Sequence, residues 1–260
     1  MVPTYRPPRE VADLISSLAG RTPVLVVDDA SPCTSDDILR SLARIPNVRV
    51  MRFARNAGIA RGLNVGLRFA READVGWLLA LDQDSTIAPG YPGLALNVAN
   101  AALLSGLSVG AVGAGIIEDA SGAIRYPTFT VNSGTASFAA THEVIQSGTL
   151  WNVAAVSGFC GFREDLGMDA GDAAACLALR QRGFKVLVDS QLTMRHRLGE
   201  AHLIRLFGHS VIRTGHGPQR RKAIVRNRLR LFPAEFRESP VHALRTVRRA
   251  AVNQVLSTLP

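Results

Sequence analysis

The 260-residue chain has only three cysteines, Cys33, Cys160 and Cys176, and no Cys-x-x-Cys pair. That excludes a disulfide framework and a cysteine-held zinc cluster, and it fits a reduced, intracellular protein. Aromatic residues make up 6% of the chain and form no stacking pattern, which argues against a single-stranded nucleic-acid platform. The opening segment MVPTYRPPRE has no apolar run of the kind a secretory leader needs. One stretch, Thr86 to Ile117, carries no charge, but Pro89, Gly90, Pro92, Gly93, Asn97 and Asn100 interrupt it. A membrane-spanning helix needs about 20 predominantly apolar residues in succession. Gly-x-x-x-x-Gly-Lys-Ser/Thr is absent, which excludes a P-loop nucleotidase. No Gly-x-Gly-x-x-Gly follows the first strand, so a dinucleotide-binding domain is excluded as well. A phosphorylated ligand would have to be held mainly by a metal ion.

What is present is a real core and a one-sided charge. Hydrophobic residues are 47% of the chain and charged residues 20%, enough for one large α/β domain or two small ones. Net charge is +9. From Arg195 to the end there are fourteen Arg and Lys against three acids. Beyond a merely solvated face, such a tail points to an anionic partner, a membrane surface or nucleic acid.

Apolar runs alternate with helical stretches. Thr22–Ser31 reads as a strand ending in a polar turn. Ser35–Ile45 reads as a helix with Ser35 as its cap and acids in its first turn. Val48–Phe53 is strand-like, Gly58–Glu72 has Ile59, Leu63, Leu67 and Ala70 at helical spacing, and Trp77–Asp82 is again a strand. This β-α-β-α-β order predicts a parallel sheet with helices on both faces and a ligand beyond the carboxyl ends of the strands. Further along, Val109–Asp119 and Lys185–Ser190 read as strands, Gly167–Gly183 as a helix, and Arg220–Leu229 and Val241–Leu259 as basic amphipathic helices.

Two strands end in acids: Asp28 and Asp29 close one, Asp82 and Asp84 the other. Both pairs fall on the same rim of the predicted sheet. Asp-x-Asp suits a hard divalent ion, Mg²⁺ or Mn²⁺, which takes one or two carboxylates and completes its shell with phosphate and water. Ordinary turn aspartates are the alternative reading.

The ordered segments VPTYRP (2–7), VVDDAS (26–31), RNAGIARGLNVGLRFA (55–70), LDQDS (81–85), SGFCGFRED (157–165), RHRLGE (195–200) and RRKAIVRNRLRLF (220–232) resemble an inverting family-2 glycosyltransferase. DQDS looks most like the bacterial rhamnosyltransferases of that family. The resemblance implies a GT-A fold with a mostly parallel central sheet, flanking helices and basic C-terminal helices. It implies a catalytic domain at 1–205, with a donor half to about 118 and an acceptor half after it, and a basic helical extension at 206–260. It further implies a nucleotide-sugar donor and a glycan or polyprenyl-linked acceptor; the acidic rim and the few aromatics argue for no nucleic-acid partner. Thr4, Tyr5 and Asp29 would hold base and ribose, Gly58 and Asn64 the neighbouring wall. Asp82 would face ribose and metal-bound water, and Asp84 and His196 would bind Mg²⁺ or Mn²⁺. Asp172 would be the catalytic base, with Asp169, three residues earlier, as base, helper or helix cap instead.

The chain departs from the family pattern in two places. Ala174 and Ala178 stand where the family carries a second acid and an arginine, with Arg180 and Arg182 close by. The family's first strand also begins several residues ahead of VPTY. These departures motivate an alternative, a relative that binds a sugar nucleotide without transferring it. The basic tail, with Ile224, Val225, Leu229 and Leu231 among its cations, suggests an interfacial helix on the inner face of the cell membrane.

Overall fold

The computed structural model describes residues 1–119, 122–167, 169–196, 201–206, 209–214 and 217–256. The chain begins with β1 (Val2–Thr4), α1 (Val11–Ala19), β2 (Val24–Asp28), α2 (Asp36–Leu42), β3 (Val48–Arg52), α3 (Ile59–Glu72) and β4 (Trp77–Ala80). Strands β1, β2 and β3 pair in parallel in that order. The backbone nitrogen of Met1 donates to the Leu79 carbonyl at 2.8 Å, and the Leu81 nitrogen donates to the Met1 carbonyl at 3.1 Å. These two bonds set β4 beside β1 and bring the Asp28 and Asp82 ends to one rim. Helix α3 covers the seam with Leu63, Leu67 and Ala70, spaced i, i+4, i+7 on its buried face. Its Gly66 lets the helix sit close, because a side chain there would press on Met1 and Leu78.

The chain continues through β5 (Thr86–Ile87), α4 (Tyr91–Leu104), β6 (Val109–Asp119), β7 (Gly122–Ile124), β8 (Thr128–Ser133), β9 (Ala136–Thr141), β10 (Thr149–Asn152), α5 (Val153–Ser157), α6 (Gly171–Gln181) and β11 (Lys185–Arg195). The larger sheet runs β4-β10-β6-β11-β9-β8. This corrects the expectation of a mostly parallel central sheet. In this larger sheet β6 and β11 are parallel, while β10 opposes both β4 and β6, and β9 opposes β11 and β8. For β8 and β9 the reason is connection length. Only Gly134 and Thr135 join them, and so short a link permits antiparallel pairing alone. Against this sheet, Trp151 and Phe162 meet edge to face at 5.1 Å, both buried, in a cluster with Leu179, Val186 and Val188.

Strands β12 (Ala201–Leu206) and β13 (His209–Thr214) form a hairpin that straddles the expected boundary at 205/206. Two basic helices follow, α7 (Pro218–Glu238) and α8 (Pro240–Leu256), joined at Ser239 and packed on each other. Residues 257–259 of the predicted second basic stretch lie outside the described residues. Helix α7 also packs on the domain. Its Leu231 is buried among Leu166, Ala170, Ala173, Ala174 and Leu177. Its Asn227 is fully buried and donates to the carbonyls of Leu166 (2.6 Å) and Asp169 (3.0 Å). Among the described residues, no helix is long and apolar enough to cross a membrane.

Candidate active site

Three potential ligands meet at the rim. Asp82 and Asp84 follow β4, and His196 follows β11. The His196 Nε2 lies 3.4 Å from Asp82 Oδ2, and its Nδ1 lies 3.4 Å from Asp84 Oδ1. The His196 backbone nitrogen donates to the Glu118 carbonyl at 3.0 Å, which continues the β11–β6 pairing and delivers the ring to the aspartates. The rest of that motif, Arg197 to Glu200, lies outside the described residues. Two carboxylates and an imidazole, with one donor atom from each within 4.8 Å of the others, suit a hard divalent cation.

The electrostatics of this trio also favour a cation. Burial pushes the Asp82 carboxyl up to about 6, with His196 opposing the rise and Asp84 adding to it. Burial disfavours charge on His196, but Asp84 and Asp82 outweigh it and its pKa lies above the ordinary value. The two acids thus favour positive charge between them. A divalent ion would supply that charge and leave the imidazole neutral.

Supporting side chains hold the trio. Ser147 Oγ accepts from the Asp82 nitrogen at 2.9 Å and lies 2.7 Å from Ser85 Oγ, which is 3.0 Å from His196 Nδ1. Gln146 donates its amide to Asp82 Oδ1. Gln83, the middle residue of the Asp-x-Asp, turns away. Its Oε1 accepts from the Tyr5 nitrogen at 3.0 Å and its Nε2 donates to the Tyr5 carbonyl at 3.1 Å. Sequence reasoning missed these four residues. No local spacing could have joined them, since Ser85 and Ser147 lie 62 residues apart on two loops, but the Gln of DQDS was a visible signal.

The residues expected to hold the nucleotide divide into two groups. Tyr5 is exposed at the rim. Thr4 is buried, and its hydroxyl donates to Asp28 at 3.3 Å. Asp28 is itself fully buried, bonded by Ser31 and paired with Arg52 at 3.2 Å. Asp29 accepts from the backbone nitrogens of Ala57 (2.6 Å) and Gly58 (3.0 Å), so it fastens the loop that starts α3. Gly58 caps that helix with φ of 85°. Asn64 stands apart from this rim group and clamps the SGFCGF loop. Its amide donates to the Phe162 carbonyl and to Glu164, both at 2.9 Å, and its oxygen accepts from the Phe162 nitrogen at 2.7 Å. Gly161 has φ of 79° and lies against Asn64, where a side chain would collide. Beside Asp28 and Asp29 lies a pocket of about 440 Å³ lined by Ala30, Ser31, Arg52, Phe53 and Ala54. Arg52 and Phe53 were not foreseen; the signal was their place at the carboxyl end of β3.

Asp172 sits in the first turn of α6, with Oδ1 accepting from the Ala173 nitrogen at 2.8 Å. It is near enough to Asp82 to help raise that carboxyl. Burial pushes Asp172 itself upward, Arg228 of α7 opposes this, and Glu143 adds to it. Asp169 is occupied differently. It pairs with Arg220 at 3.1 Å, and its carbonyl accepts from Asn227. Asp169 therefore ties the loop before α6 to α7. Ala174 is buried beneath Leu231, so an acid in its place would be desolvated by α7. Arg180 is engaged by Glu238 at 2.5 Å and by the His142 carbonyl, and Arg182 lies over the Phe159 ring at 5.1 Å.

Residues 1–112 match the glycosyl transferase family 2 profile. The match takes in β1 to β4, the Asp82–Asp84 pair and the start of β6. Solved structures extend the likeness along the chain. S. aureus TarS 1-349 in complex with UDP aligns over 95% of this chain and 68% of its own, at a TM-score of 0.58 and 15% identity. The mannosyltransferase PcManGT from Pyrobaculum calidifontis, in complex with GDP-Man and Mn²⁺, aligns over 97% and 72%, at 0.60 and 15%. GalNAc-T7 with UDP, GalNAc and Mn²⁺ aligns over 77% and 40%, at 0.52 and 12%. At these identities the likeness establishes the fold, which is GT-A. No curated protein matched the sequence.

Proposed function

We propose that the chain is a metal-dependent, inverting glycosyltransferase. The observation that carries this reading is the meeting of Asp82, Asp84 and His196 at one rim, with Asp172 near enough to Asp82 to help raise its carboxyl. The preferred donor is dTDP-rhamnose, a choice resting on the DQDS resemblance. The acceptor is a hydroxyl of a glycan or polyprenyl-linked sugar. In this reading residues up to about 118 handle the donor and 119–205 the acceptor, and the basic helices hold the protein at the inner face of the cell membrane.

The nucleotide would lie in the pocket between Ala30 and Arg52, edged by Tyr5. Asp84 and His196 would hold Mg²⁺ or Mn²⁺, with Asp82 oriented toward it by Gln146. When bound, the ion neutralises charge on the departing diphosphate. Asp172 removes the acceptor hydroxyl proton. The freed oxygen attacks the anomeric carbon from the face opposite the nucleotide, the bond to the diphosphate oxygen breaks, and the configuration inverts. Burial of Asp172 supports this role, since a carboxylate with a raised pKa is a better general base near neutral pH.

Calorimetry with a panel of nucleotide sugars, with and without Mn²⁺, tests the reading. The expected result is binding of one donor that requires the ion and is lost in Asp84→Ala. If no donor binds, or if Asp84→Ala binds as the wild type does, the donor-site assignment fails.

A further inference from the structure

Along α7 lies a second, open concavity of about 550 Å³, lined by Lys222, Val225, Arg226, Leu229 and Arg230, with Gln254 of α8 at its edge. It is separate from the rim that carries Asp82 and Asp84. Its composition is divided along the helix. Lys222, Arg226 and Arg230 stand at i, i+4 and i+8 and make a basic row. Val225 and Leu229, one position over, make an apolar row beside it. Leu229 is 54% exposed despite its size.

The pattern extends beyond the concavity. On α7, Phe236 continues the apolar row and is 42% exposed. On α8, Val241, Leu244, Val252 and Val255 are exposed along one side, with Arg245, Arg248 and Arg249 between and beside them. The two helices carry ten Arg and Lys in the described residues and only two acids, Glu235 and Glu238. Both acids turn inward or toward the domain. Glu235 is buried near Arg228, at 3.7 Å, and Glu238 pairs with Arg180 of α6. The outer face of the hairpin is therefore cationic and apolar together.

We propose that this concavity is a seat for an anionic phospholipid, with the headgroup phosphate held by Lys222, Arg226 and Arg230 and acyl carbon lying along Val225 and Leu229. The charge complementarity selects the occupant. A free phosphate would use the cations and leave the aliphatic row in water. A nucleic acid would use the cations too, through its phosphates, and would likewise leave Val225 and Leu229 in water. This site deepens the membrane-surface reading given above and does not depend on the transfer reaction.

Co-sedimentation of the full chain with vesicles tests it, using pure phosphatidylcholine against an equal mixture of phosphatidylcholine and phosphatidylglycerol. The double variant Lys222→Glu/Arg230→Glu is compared with Arg21→Glu/Arg44→Glu, which removes the same charge from exposed positions on the opposite half of the sequence. Wild type should sediment with the anionic vesicles and not with the neutral ones. Each basic residue near an anionic surface is worth about 1 kcal/mol, or about fivefold, so the groove variant should lose partitioning by about 25-fold or more. Leu229→Asp should lose it as well, while the Arg21/Arg44 variant loses much less. Far-UV circular dichroism checks that each variant is folded. Equal losses in the two charge variants would overturn the site, as would unchanged binding in Leu229→Asp. Wild-type preference for a DNA duplex over the anionic vesicles in direct competition would also overturn it. Donor calorimetry on the same samples reads the transferase assignment separately.

Discussion

Gln83 holds Tyr5 by both of its backbone polar groups, accepting from the nitrogen at 3.0 Å and donating to the carbonyl at 3.1 Å. One amide thus fixes the distance between the strand end that carries Tyr5 and the turn that carries Asp82 and Asp84. Replacing it with alanine should leave the fold intact and loosen that rim. Two exposed hydrogen bonds at about 0.5–1 kcal/mol each give about 1–2 kcal/mol, or roughly five- to thirty-fold in donor Kd. Gln83→Glu should also weaken binding, because its carboxylate would face the Tyr5 carbonyl. Donor titrations of the two variants check this.

Asp172→Asn should lower kcat by roughly 10²–10⁴-fold while donor affinity changes little. The acid limb of the wild-type kcat/KM profile should lie above the ordinary carboxylate range, since Asp172 is raised and only its ionised form accepts a proton. Activity therefore falls as pH drops through that value. Asp169→Asn should behave otherwise. It removes the charge partner of Arg220 and should lower thermal stability, with much less effect on kcat. Steady-state kinetics and melting curves on both variants separate the two aspartates.

Restoring the acid at position 174 should harm the protein. Ala174 is buried against Leu231, so Ala174→Glu would add volume to a packed contact and bury a carboxyl with no partner among the apolar residues there. Overpacking and desolvation together should cost about 2–5 kcal/mol, seen as a lower midpoint in urea. Adding Leu231→Ala to make room should recover part of that loss.

The junction between the C-terminal helices and the domain should be labile to acid. His142 and His242 stack at 4.5 Å, and burial lowers both, His242 to about 4. The unfolded chain takes up these protons near the ordinary 6.5, whereas the folded chain resists until lower pH. Stability is therefore lost as pH falls from about 6.5 to about 4. Glu143 acts in the same direction. Burial raises it, but Arg228 at 2.5 Å outweighs burial and holds its carboxyl below the usual value, so protonating it also releases stability. Melting temperature should fall across this range, and His242→Gln should flatten the upper part of the fall.

The first third of the fold was legible because its strands and helices announce themselves locally. Val24–Asp28 is an apolar run closed by an acid, Trp77–Ala80 is one that meets Asp82 two residues later, and α3 has its apolar residues one helical turn apart. Strand direction was not legible in the second half. Nothing within β10 says that it lies between β4 and β6 and opposes both; that follows from the path of the chain around it. The same limit applies to the site. The Asp-x-Asp could be read from its place after a strand. The distinction between Asp28, buried and bonded inward, and Asp29, bonded to the loop before α3, rests mainly on Arg52 and Ala57, each more than twenty residues away. Arg228 and Glu143, 85 residues apart, left no local pattern at all.

His196 reaches the aspartates only at the end of β11, and β11 finds its place by pairing with β6 along most of its length and more briefly with β9 and β5. An ion gripped by all three side chains thus cannot be captured by a nascent chain that has emerged only as far as Asp84, or by one in which β11 is still unpaired. Contacts across so long a loop form late, because loop-closure entropy must be met first. If the trio holds an ion as proposed, ion uptake would time the last stage of folding, and stopped-flow refolding with Mn²⁺ should see the ion bind after the core has closed.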